Sequence, residues 1–274
     1  MTFGSRLTAA MAGRGPLCVG IDPHPALLDA WGLTDSAVGL EQMAMTAVEA
    51  LGPVAAVVKP QSAFFERHGA RGIAVLEKVL AGCRELGALA LLDVKRGDIG
   101  STAQAYADAY VGPSAPLAAD AITVSPYLGF GSLDPIIDTA LANGSGVFVL
   151  AMTSNPEGPQ VQHAVTADGR TVAGTVLDAV ASRNAGAEGL GSVGAVVGAT
   201  IGETAERLDV NGPLLVPGIG AQGGTVDDVR RIFGAATRHV LPSISRQILA
   251  AGPDVGALRA AVGAAVDDFS TVRD

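Results

Sequence analysis

Short apolar runs alternate with stretches of helical period along the whole chain. Eight runs, at 17–22, 55–60, 88–95, 121–126, 146–154, 193–200, 214–220 and 238–245, have the length and the Val, Ile, Leu and Ala content of strands buried on both faces. Between them apolar positions recur every three or four residues over 41–51, 72–86, 102–110, 171–183 and 226–233. Strand and helix in repeated alternation imply right-handed βαβ units around a parallel sheet. Length then selects among parallel sheets. Spread over eight units, 274 residues leave roughly 34 residues per unit, close to the ~250 residues of a (β/α)8 TIM barrel with an insertion. The expected architecture is one such α/β barrel over 1–274. An open doubly wound sheet shares the alternation, but Gly20-Ile21-Asp22-Pro23-His24-Pro25 stands where its Gly-x-Gly-x-x-Gly turn belongs. The longest gap, 155–191, carries a Pro, Gly and Gln-rich stretch that reads equally as a loop over a site or as a surface excursion.

Composition narrows the partners. Eighteen Lys+Arg against 27 Asp+Glu leave a net charge of -9, and an acidic field disfavours the phosphate backbone of nucleic acid. No stretch supplies the ~20 consecutive apolar residues of a membrane span. The amino-terminal region contains Arg6 and Arg14 and no apolar core of a secretory signal, so Cys18 and Cys83 are expected to be reduced, buried thiols of a cytoplasmic protein.

Against this apolar frame the placement of charge is informative. The chain has three lysines, and Lys59 and Lys95 end predicted strands whereas Lys78 lies in a helix. In a TIM barrel the carboxyl ends of the strands form the catalytic face. The third run ends Leu91-Leu92-Asp93-Val94-Lys95-Arg96-Gly97-Asp98, and the period of two along a strand aims Asp93 and Lys95 to one side and Val94 to the other. Such a pair serves either as a structural ion pair or as chemistry at the mouth. Asp98 follows just ahead of Ser101 and Thr102, residue types suited to start a helix. Asp22 ends the first run and Thr153-Ser154-Asn155 the fifth. Each alone is explained by capping or solvation; together they form a ring of charged and hydrogen-bonding groups.

The seventh run enters Pro217-Gly218-Ile219-Gly220-Ala221-Gln222-Gly223-Gly224-Thr225, a glycine-rich turn before a helix. Bare N–H groups and a helix amino terminus there can cradle an anion, or the glycines can serve only a tight turn. Ser243-Ile244-Ser245-Arg246 ends the eighth run with a guanidinium fork suited to phosphate. The combination reads as a site for a small, phosphate-bearing substrate. His-Glu-x-x-His, Cys-x-x-Cys, Gly-x-Ser-x-Gly and P-loop motifs are absent, and His24, His68, His163 and His239 are scattered.

Leu92-Asp93-Val94-Lys95-Arg96-Gly97-Asp98-Ile99 resembles the Asp-x-Lys-x-x-Asp signature of the orotidine 5'-phosphate decarboxylase family, most closely its longer bacterial subfamily, which includes mycobacterial enzymes. A magnesium-dependent sugar-phosphate branch shares that signature but ends its second strand with a metal-binding glutamate, where this chain has Lys59 in Val57-Val58-Lys59-Pro60. The resemblance implies conversion of orotidine 5'-monophosphate to UMP and CO2, the last step of UMP synthesis, without metal or cofactor. It implies that Lys95 is the proton donor within a network of Lys59, Asp93 and Asp98, and that Asp22 and Lys59 meet the ribose hydroxyls. It further implies that Ser154 bonds the pyrimidine, that Pro217, Gly220, Gln222 and Arg246 grip pyrimidine and phosphate, and that Asp98, Ile99 and Thr102 enter the partner's site in a homodimer. The family's Gly-Arg pair is replaced by Ser245-Arg246. Competing readings are a metal-dependent sugar-phosphate decarboxylase or lyase, an aldolase using Lys95 as a Schiff base, and a noncatalytic phosphate-ligand binding protein. The aldolase needs a neutral lysine, which flanking carboxylates oppose.

Overall fold

The computed structural model describes residues 1–220 and 223–270. Eight parallel strands, β1 (Cys18–Ile21), β2 (Val57–Pro60), β3 (Leu89–Arg96), β4 (Ala121–Val124), β5 (Gly146–Met152), β6 (Val193–Val197), β7 (Leu214–Val216) and β8 (Val240–Ile244), close in sequence order, with β8 pairing back onto β1. Each falls on a predicted run, so the barrel expected from the alternation is the observed one. The paired segments are mostly shorter than the runs. In the seventh, pairing covers Leu214–Val216 alone, because Gly218 and Gly220 take φ of 99° and 69° and turn the chain off the sheet.

The five anticipated helices are present as Ala37–Leu51, Gly69–Glu85, Gly100–Tyr110, Val172–Arg183 and Val226–Phe233. The connection from β6 to β7 contains no helix among the described residues, and Leu208 and Val210 bury themselves from an irregular segment instead. The carboxyl-terminal helix Val255–Ser270 packs on Ala37–Leu51, where Arg259 donates to the carbonyls of Glu49 and Ala50.

Alternation along the strands builds two cores. Val19, Val58, Leu92, Ile122, Val149 and Val197 point outward and pack under the helices. Val57, Leu91, Ala121, Phe148, Val196, Leu215 and Leu241 point inward and fill the barrel. The inner core is closed from the amino-terminal end of the strands by the helix Phe3–Arg14, whose Phe3, Leu7 and Met11 form one buried stripe at spacings of four. The Phe3 and Phe148 rings meet edge to face with centroids 6.0 Å apart. A Cβ at residue 146 would lie 2.2 Å from Phe3 Cδ1, so Gly146 is required for that helix to dock. With the floor packed by this helix, the polar opening of the barrel lies at the carboxyl ends of its strands.

Candidate active site

Two residues further along the same inward rows, the interior changes from apolar to polar. Val57 is followed by Lys59, Leu91 by Asp93, Ala121 by Thr123 and Leu241 by Ser243, and all four polar residues line a cavity of about 360 Å³ at the mouth. Its size is that of a small-molecule site.

Asp93 is the hub. Its Oδ2 accepts from Lys59 Nζ at 2.9 Å, and its Oδ1 accepts from Lys95 Nζ at 2.6 Å and from Thr123 Oγ1 at 2.8 Å. Lys59 and Asp93 are buried, whereas the side chain of Lys95 is 47% exposed and reaches into the opening. Burial by itself would raise the Asp93 carboxyl, but the two ammonium groups overcome it and hold Asp93 well below the usual carboxylate range. Burial likewise opposes charge on Lys59, and Asp93 with Asp22 outweighs it, holding Lys59 above the ordinary lysine range. Both groups are therefore ionised at neutral pH. Beneath them burial pushes the Cys18 thiol up to about 12. Cys18 and Cys83 are both free and buried, as expected from the sequence.

The pairing of Asp93 with Lys95 on one side of the strand is observed, although regular alternation does not produce it. The β3–β4 register slips between Leu92 and Arg96, and Lys95 takes φ of 45°, a left-handed conformation seldom adopted outside glycine. This bulge turns the lysine toward the opening.

Asp22 lines the same cavity, and its Oδ1 is buried without a hydrogen-bond partner among the described residues. An unsatisfied buried carboxylate oxygen facing a cavity is poised to accept from a ligand hydroxyl. Ser154 also lines the cavity, just past the end of β5. Its hydroxyl fits there because residue 198 is glycine, where a Cβ would stand 2.1 Å from Ser154 Oγ. Pro217 and Arg246 line the far wall, and the exposed Arg246 side chain makes no hydrogen bond or ion pair to another described residue.

Gly220 does not line the cavity, its Cβ position lying 2.1 Å from Gln247 Oε1, and Gln222 lies outside the described residues. The glycine turn is internally braced, Gly224 N–H donating to the Gly218 carbonyl and Gly223 N–H to that of Gly220. One part of the sequence expectation needs correction. The helix after the turn, Val226–Phe233, is closed by its own capping box between Thr225 and Asp228 and carries Asp227 and Asp228 in its first turn. The box occupies two of the N–H groups there and the aspartates make that end negative, which disfavours an anion.

Asp98, Ile99 and Thr102 do not line this cavity. Asp98 Oδ1 accepts from the Ile99 N–H at 2.8 Å, and Ile99 is 61% exposed. The helix begins at Gly100 without a side-chain cap, so Ser101 and Thr102 lie inside its first turn instead of starting it. The stretch after β5 is a wall pinned beside the mouth. Thr153 N–H donates to Gln162 Oε1 at 2.9 Å, and Gln162 Nε2 returns a bond to Thr153 Oγ1 at 2.7 Å.

Sequence reasoning missed Thr123, Ser243 and Gln61, all of which line the cavity. Thr123 and Ser243 stand two residues beyond an inward apolar residue on their strands, a phase that the sequence does not reveal where both faces of a run are apolar.

A parallel barrel sealed at its floor, with two lysines sharing one aspartate at its mouth and a free guanidinium across the opening, is an enzyme for a small anionic substrate. The chain belongs to the orotidine 5'-phosphate decarboxylase / HUMPS family, whose model matches residues 15–261. It is 67% identical over 250 residues to the orotidine 5'-phosphate decarboxylase of a Nocardioides species, covering 90% of this chain and 91% of that one. With the orotidine 5'-phosphate decarboxylase of Salinispora arenicola it shares 64% identity over 268 residues, covering 97% and 96%. A crystal structure of a Streptomyces avermitilis protein, 58% identical, superposes with a TM-score of 0.97 over 99% of this chain and 96% of the other.

Proposed function

We propose that this chain decarboxylates orotidine 5'-monophosphate to UMP, and that Lys95 is the group that protonates the ring. The observation that carries this reading is the array Lys59–Asp93–Lys95, a carboxylate fixed between two ammonium groups at the open end of the barrel. When the bond from ring C6 to the carboxylate carbon breaks, CO2 leaves and the bonding pair stays on C6 in an sp2 orbital with no adjacent carbonyl to receive it. The site must hold that charge electrostatically. Lys95 does so as an ammonium and then gives C6 one of its protons, which solvent restores to the amine. Asp93 orients the Lys95 ammonium through the 2.6 Å bond to its Oδ1. The same array argues against a Schiff-base role, which requires a neutral amine. Lys59, standing where the sugar-phosphate branch carries its metal-binding glutamate, argues against that branch.

The remaining assignments belong to the same proposal. Asp22, with its unsatisfied oxygen, and Lys59 receive the ribose hydroxyls, Ser154 receives the pyrimidine, and Pro217, Gly220, Gln222 and Arg246 hold pyrimidine and phosphate. Asp98, Ile99 and Thr102 do not line their own cavity, which favours a homodimer in which they complete the partner's site. The purified chain should bleach the absorbance of orotidine 5'-monophosphate, and inactivity in that assay rejects the reading. Mixing inactive Lys95→Ala and Asp98→Ala subunits tests the shared site. Random exchange yields mixed dimers with one intact site in two, restoring roughly a quarter of the wild-type sites. No recovery, with exchange verified by mass, rejects sharing and leaves the decarboxylase reading in place.

A further inference from the structure

Thr123 is 1% exposed and faces inward from β4, in line with Ala121 below it. Its hydroxyl makes two bonds at once. It donates to Asp93 Oδ1 at 2.8 Å and accepts from the Lys95 backbone N–H at 2.9 Å. The second bond sits in the gap where the β3–β4 ladder slips between Leu92 and Arg96. A strand N–H freed by a bulge and buried without a partner is unfavourable, and a left-handed φ at a lysine persists only where its surroundings fix it. The Thr123 hydroxyl supplies the missing ladder acceptor.

The consequence reaches the ammonium group. Lys95 is held at both ends by the same pair of side chains, its backbone by Thr123 and its Nζ by Asp93 Oδ1 at 2.6 Å. Asp93 in turn has Oδ2 fixed by Lys59 and Oδ1 oriented by Thr123. We infer that Thr123 is a positioning residue that sets the Lys95 ammonium over the reacting carbon through the Lys95 backbone and Asp93, without itself touching substrate. This rests on the reading of Lys95 as the proton donor. A residue that merely filled its slot in the barrel could be replaced by valine, which has the same shape. A residue that positions by its hydroxyl could be replaced by serine.

The test compares Thr123→Val and Thr123→Ser with wild type on orotidine 5'-monophosphate, reading kcat together with the inhibition constant of UMP, which lacks the scissile carboxylate. Thr123→Val should lose on the order of 10²-fold in kcat, the scale expected when a reacting group is misplaced by about an ångström. Its affinity for UMP should change less than about threefold, and Thr123→Ser should recover most of the lost kcat. Wild-type kcat in Thr123→Val overturns the inference, as does an equal loss of kcat in the serine variant or a UMP affinity that falls in step with kcat. If the valine variant does not fold, Thr123→Cys, close in size and a poorer hydrogen-bonding group, must show the same split between kcat and UMP affinity, and a wild-type kcat there overturns the inference too. A wild-type chain inactive on orotidine 5'-monophosphate overturns the underlying reading, which separates that failure from one confined to Thr123.

Discussion

The inner rows of the barrel carry two different interiors only two residues apart. Toward the amino-terminal ends, Val57, Leu91, Ala121, Phe148 and Leu241 meet the stripe Phe3, Leu7 and Met11 in a dry core. Toward the carboxyl ends, the next inward residues on four of those strands are Lys59, Asp93, Thr123 and Ser243, three of them joined through the Asp93 carboxylate. The strands, their direction and their period are the same in both places. Below, each residue's contribution grows with the apolar area it removes from water. Above, burying charge is a cost, and the network stands because Lys59 and Lys95 are both paired with Asp93. One layer thus holds the barrel together and the other holds charge ready, and substitutions in the two should fail differently.

The largest contrast is expected from Lys95→Ala. The Lys95 side chain is half-exposed, so its loss should leave the thermal transition almost unmoved. Decarboxylation should fall on the order of 10⁴-fold in kcat/KM, about 10² from proton delivery and about 10² from charge stabilisation. A folded variant that keeps a tenth of wild-type turnover removes Lys95 from the reaction.

Phe148→Ala breaks the opposite layer. Phe148 is fully buried against Phe3, and truncation should cost about 3–5 kcal/mol in urea or thermal unfolding. Activity per folded molecule should stay near wild type at low temperature. If activity is lost without loss of stability, the two layers are not separable.

Arg246→Ala tests the far wall. UMP binding should weaken by about 2 kcal/mol, as for a lost charge-assisted contact, and uridine binding should not change. Equal losses for nucleotide and nucleoside would assign Arg246 to the base or to structure.

The smallest effect is the acid response of the network. Asp93 titrates lower in the folded chain than in the unfolded one, so its stabilisation is present above the unfolded carboxyl value of about 3.9 and is lost as pH falls through its folded value. Unfolding free energy should therefore decline below about pH 4, by at most about 1.4 kcal/mol per pH unit for this one proton. Asp93→Asn, which takes up no proton, should show a shallower decline, and identical slopes would place the titrating group elsewhere.

All eight strands were legible because a strand buried on both faces is an uninterrupted apolar run, and β3 with its Asp-Val-Lys end was legible because charge interrupts that pattern. The same apolar continuity concealed phase. With both faces of a run apolar, nothing local distinguishes Val57, inside the barrel, from Val58, under the helices. Phase was what Thr123 and Ser243 required. The helix Phe3–Arg14 was hidden differently, since its buried stripe is only three large residues among Ala, Gly, Thr and Arg.

Sequence alone determined the number and order of the strands, the helices that separate most of them, and the residue types available at the mouth, because these follow from local periodicity and from where charge breaks it. Only the tertiary structure decided that Phe3–Arg14 seals the floor and that Asp93 serves Lys59, Lys95 and Thr123 together. Both depend on contacts between residues far apart in the chain, fixed when the barrel closes and by a two-residue slip of β3 against β4. No spacing within a single strand encodes them.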